Sequence, residues 1–150
     1  SCFEEQPRLL TGVVPHEVAH ALFAHRLNYP KAIPLWATEG FAILREPAHF
    51  HRHYRRVLLQ ERARRTLLPV KDVVELATYP DERVGVFYAQ SFSLVEFLLS
   101  LEDVDTFLSL VKALSDEGAN FDETLRKYYG LRGRVALENR WLGWFEEANK

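Results

Sequence analysis

Two histidines on one helical face, in the stretch His16-Glu17-Val18-Ala19-His20, constrain this chain more than any other feature. On an α-helix, residues i and i+4 lie one above the other, so both imidazoles can aim at a single point. Two convergent imidazole nitrogens suit a metal ion. Glu17 is rotated off that axis but stays beside it, where a carboxylate can take a proton from a water at the metal. Proline is tolerated in a first helical turn, so this helix should start near Val14 or Pro15 and run to about Leu27, before Asn28 and Pro30 end it. Its apolar side should be Val18, Leu22 and Ala21. His25 falls about 140° around the helix from His20 and is expected at the surface.

A catalytic zinc ordinarily takes three protein ligands and keeps one position open, so two histidines are incomplete. The metzincin pattern would need Gly and His where this chain has Phe23 and Arg26, which closes that route. The other common solution is a glutamate from a following helix, giving nitrogen and oxygen donors appropriate to zinc. Glu39 fits it. Pro34 can open a helix there, and Trp36, Ala37, Phe41, Ala42 and Leu44 can anchor it in a core. Helix glutamates are ordinarily exposed. This one falls among apolar residues and precedes Gly40, which lets another element approach closely.

With those residues in place, His16 to His20 followed by Trp36-Ala37-Thr38-Glu39-Gly40-Phe41-Ala42 resembles the gluzincin clan of zinc metallopeptidases, whose active-site and glutamate helices carry these motifs. A third stretch, from Tyr88-Ala89-Gln90-Ser91-Phe92 to Leu99, resembles the tyrosine-bearing helix of compact peptidase MA-like domains. It is more distantly similar to the Tyr-x-Lys-Gly helix of gluzincin aminopeptidases. The resemblance extends from about Val14 to about Phe145; its first two motifs are specific together, the third less so. It implies hydrolysis of peptide bonds, with zinc on His16, His20 and Glu39, Glu17 as general base, and Tyr88 as the donor that stabilises the oxyanion. Spacing alone leaves Tyr88 open, because Phe92 and Val95 fall within about 40° of it on what reads as a core stripe. Ser91, about 60° away, is small enough to leave room beside the ring. Tyr79, in the turn Tyr79-Pro80-Asp81-Glu82, is the reserve candidate. Two other readings remain: a peptide-binding module that does not cut, and a self-inhibited precursor. Glu17 argues against the first, since a purely structural site needs ligands but no base.

At 150 residues the chain should form one domain spanning 1–150, large enough to bury about two-thirds of its unfolded surface. A net charge of −2 with both signs interspersed offers no footprint for DNA or RNA. The expected partner is a peptide or protein substrate, with flanking domains of the same protein as a further possibility. One cysteine, Cys2, cannot form an internal disulfide, and no apolar run is expected to span a membrane. A chain that begins at Ser1 and contains no methionine is expected to be a fragment or processed product, so targeting and compartment stay open.

Periodicity predicts a mainly α fold with little or no sheet; larger gluzincins carry a sheet upstream of the active-site helix, and the only weak strand signal here is Leu9 to Val14. Ser1 to Thr11 reads as a loop or a brief turn. After Glu46-Pro47, Ala48 begins a basic, histidine-rich helix reaching about Arg65. His49 and His53 share a face and His51 does not, so a solvated face is favoured over a second metal site. A short helix should cover Asp72 to Leu76 and a long core helix Val84 to Leu101. Three more are expected at about Glu102 to Ser115, Phe121 to Tyr129 with Asp122 capping or charging its start, and Val135 to Glu147.

Overall fold

The computed structural model describes residues 17, 18, 20, 21, 25 and 33–150. His16, the lead to Thr11 and the stretch from Leu9 to Val14 therefore lie outside the described residues. The described residues before 33 are helical. Seven helices follow: α1 (Leu35–Leu44), α2 (Ala48–Arg64), α3 (Val70–Glu75), α4 (Val84–Leu101), α5 (Val104–Leu114), α6 (Phe121–Tyr129) and α7 (Arg134–Ala148). No strand occurs among the described residues, so the fold is mainly helical.

Proline and left-handed residues set the breaks. Pro34, Pro47 and Pro69 stand immediately before α1, α2 and α3, where a missing N–H costs nothing and a fixed φ favours entry. Pro69 thus starts α3 at Val70, ahead of the Asp72 expected from the sequence. Asp122 does not cap α6. Asn120 does, its Oδ1 accepting from the Glu123 N–H at 3.0 Å, while Asp122 Oδ1 accepts from the Arg134 N–H at 3.1 Å and secures the start of α7.

α4 is the central helix, with Phe87, Phe92, Leu94, Val95 and Leu98 fully buried. α1 packs against it most extensively, and α2 and α7 also pack on it. The seam with α1 is tight because of Gly40: a Cβ there would lie 2.6 Å from Val95 Cγ2 and closer still to the Ser91 carbonyl oxygen. Ser91 is buried in this seam, with its backbone carbonyl against Gly40. On the far side, Trp141 Nε1 of α7 donates to Ser93 Oγ at 2.9 Å. α4 also corrects one expectation. Its 18 residues have a hydropathy of 1.5, long and apolar enough by length and composition to cross a membrane. With 61% of the stretch buried inside the molecule, it has the character of a core helix.

Candidate metal centre

The site is built on α1. Trp36, Ala37, Gly40, Ala42 and Ile43 are buried, and the helical period carries Glu39 inward with them. Glu39 is 3% exposed. A carboxylate taken that far out of water needs partners. The structure supplies a phenol and an imidazole: the Tyr79 hydroxyl donates to Glu39 Oε1, and His20 Nε2 stands 3.5 Å from the same oxygen.

His20 is oriented from behind by α1. Its Nδ1 lies 2.9 Å from Thr38 Oγ1. With the proton on Nδ1 the hydroxyl oxygen accepts, and the Nε2 lone pair then faces the carboxylate. A lone pair and a carboxylate oxygen facing each other call for a cation or a proton between them. Two donors each about 2.0–2.1 Å from a tetrahedral zinc lie about 3.4 Å apart. The His20–Glu39 separation of 3.5 Å matches that spacing, and imidazole nitrogen with carboxylate oxygen is a donor set that suits zinc.

The charge of Glu39 acts on three tyrosine hydroxyls. Burial first, then the hydrogen bond to Glu39 and the charges of Glu39 and Glu17, hold the Tyr79 hydroxyl above the usual phenol range. Tyr88 is raised by burial and by Glu39. Tyr54, on α2, is pushed up to about 12 by burial, then by Glu46, Tyr88 and Glu39. All three phenols keep their protons at neutral pH, and the Tyr79 hydroxyl donates to Glu39. The Tyr79 and Tyr88 rings meet edge to face with centroids 6.1 Å apart.

The structure thus brings His20 and Glu39 together, with Tyr88 on α4 close enough to Glu39 to feel its charge. Glu17 is helical and exposed, and its charge reaches Tyr79. Among the described residues no three His, Cys, Asp or Glu side chains are grouped to hold a metal, and His16, the remaining ligand expected from the sequence, lies outside them. Val18 was expected on the apolar side of its helix but is 49% exposed, and Ala21 is exposed too. Leu22 lies outside the described residues. His25 is exposed, as expected. On α2, His49 and His53 are exposed, while the His51 Nε2–H donates to the Ile43 carbonyl at 2.8 Å and its ring stacks on Phe92. His51 is therefore a packing residue. The sequence reading missed Thr38 and Tyr54, and it held Tyr79 only in reserve behind Tyr88. Position beside Glu39 was the only signal for Thr38.

Comparison with curated proteins and with solved structures found no match. The family model described as the Peptidase MA superfamily matches residues 8–147, a span that contains the histidine pair, the glutamate helix and the tyrosine helix. The chain belongs to the peptidase MA superfamily.

Proposed function

We propose that this domain is a zinc-dependent peptidase of gluzincin type, acting on a peptide or protein substrate. The observation that carries the reading is the buried Glu39 carboxylate with His20 Nε2 at 3.5 Å, a tetrahedral ligand spacing. His16, four residues before His20 in the sequence, completes the ligand set. Zinc held there would supply Lewis-acid chemistry, lowering the pKa of a bound water toward about 7 and polarising the scissile carbonyl.

The chain's own residues do the rest. Thr38 holds the His20 ring so that Nε2 faces inward. The Glu17 carboxylate takes a proton from the attacking water and delivers it to the leaving amine. Tyr88, protonated at working pH, donates to the oxygen on which negative charge develops, a contribution of about 2.7–4 kcal/mol for one such donor.

Glu17→Gln tests the division of roles. The amide cannot accept the proton, so kcat should fall by about 10²- to 10⁴-fold while zinc content stays at the wild-type level. Loss of zinc in that variant would contradict the assignment of Glu17 as a base. A wild-type domain that binds zinc and peptide but cuts nothing, with and without flanking residues, would favour the non-catalytic module.

A further inference from the structure

Tyr79 lies between α3 and α4, outside any helix, and the residue is 51% exposed. A tyrosine so placed can satisfy its hydroxyl with water at no cost. Instead the hydroxyl turns inward onto Glu39 Oε1, a buried oxygen. The surroundings hold it there. Arg83, in the left-handed region at φ 62, donates to Glu61 at 2.8 Å and to the Thr66 carbonyl, fastening the end of the segment to the C-terminal end of α2. Upstream, the buried Gln90 amide of α4 exchanges two 2.8 Å hydrogen bonds with the backbone of Leu68. The Tyr88 ring closes the remaining side.

We propose that Tyr79 is a positioning residue for Glu39: its hydroxyl fixes the carboxylate rotamer and commits Oε1 to the side shared with His20. The proposal rests on the zinc reading of this site. A carboxylate oxygen carries two lone pairs in the carboxylate plane. One accepts the Tyr79 O–H, and His20 Nε2 stands 3.5 Å from the same oxygen. An O–H donated to a carboxylate is the stronger, charge-assisted kind of hydrogen bond, suited to holding a ligand that could otherwise rotate or offer both oxygens. Tyr79 therefore acts on binding and geometry through Glu39. Tyr88 is left for the substrate.

Zinc affinity, measured by competition with a chromophoric chelator, separates the two tyrosines and needs no turnover. Tyr79→Phe keeps the ring contact with Tyr88 and removes only the donor. It should weaken zinc binding by about 10- to 100-fold, through faster release, while Tyr88→Phe leaves zinc affinity within about twofold of wild type. Equal affinity in wild type and Tyr79→Phe would overturn the proposal, and so would tighter binding, which would show the hydroxyl competing with the metal. Should Tyr79→Phe fail to fold by circular dichroism, Arg83→Gly keeps the left-handed backbone and releases the segment. Its zinc affinity should also fall, and an unchanged value would overturn the proposal. A wild-type domain that takes up no zinc would remove the metallopeptidase reading itself, and this proposal with it.

Discussion

The chemistry is concentrated on Glu39, because a carboxylate that is almost fully buried must be compensated. Desolvating a charge costs several kcal/mol even after relaxation, and breaking such a contact by deleting one partner typically costs about 3–5 kcal/mol. The Tyr79 hydroxyl supplies part of that compensation from far along the chain, and the side shared with His20 Nε2 is where a cation would supply the rest. Tyr54 gives a pH signature of the same charged neighbourhood. Its folded pKa of about 12 exceeds the value of about 10 for an unfolded tyrosine, so the unfolded chain loses its proton first as pH rises. The stabilisation is complete below about pH 10 and is lost as pH rises through about 12. Urea unfolding at about pH 9 and about pH 11 should show that decline, and Tyr54→Phe should flatten it. Tyr129, raised by burial and then by Glu102 and Asp103, and Tyr79 and Tyr88, raised by burial and by Glu39, leave a residual slope. A Tyr54→Phe slope equal to wild type would contradict this account. At this scale the sequence was informative where chemistry and spacing coincide, as in His20 and a glutamate placed among apolar residues, which stand 3.5 Å apart; His16 lies outside the described residues. Tyr79 meets Glu39 from an irregular segment, and Thr38 meets His20 across a connection the period of one helix cannot describe.

Among the elements, the seam between α1 and α4 decides whether the site exists at all. Glu39 precedes Gly40, and Gly40 lies against the Ser91 backbone, so the depth of the carboxylate and the closeness of the helices are one constraint. Gly40→Ala puts a methyl group where a backbone oxygen already stands, and backbone yields less readily than a side-chain end. Overpacking of this kind costs about 1–3 kcal/mol, or more where backbone must move. Thermal unfolding should drop by about 2–4 °C per kcal/mol in a chain of this size, with Gly85→Ala, facing open space, unaffected or slightly stabilised. A Gly40→Ala protein as stable as wild type would show that the seam is not tight. Helix positions were legible because apolar residues recur at the helical interval between proline and glycine breaks. Asp122 was legible as a charge in the first turn of α6, but its bond to the start of α7 was not, since nothing local separates a residue that serves its own helix from one that secures the next. Val18 exposes the same limit: periodicity shows which residues share a face, but not which face of an end helix is covered.

Across the molecule, α4 is the scaffold that α1, α2 and α7 cover, and the candidate centre sits where α1, α4 and the Tyr79 segment meet the histidine-bearing helix. The peptidase MA match covers residues 8–147 and so spans nearly all of this arrangement. The central claim is that His16, His20 and Glu39 hold one metal. Zinc bound per chain, measured by native mass spectrometry for the wild type and for His16→Ala, His20→Ala and Glu39→Ala, tests it most directly. The account gives about one zinc per wild-type chain and a sharp loss in each variant with the fold retained. A wild-type domain that takes up no zinc, or a Glu39→Ala domain that holds zinc as tightly as wild type, would contradict it.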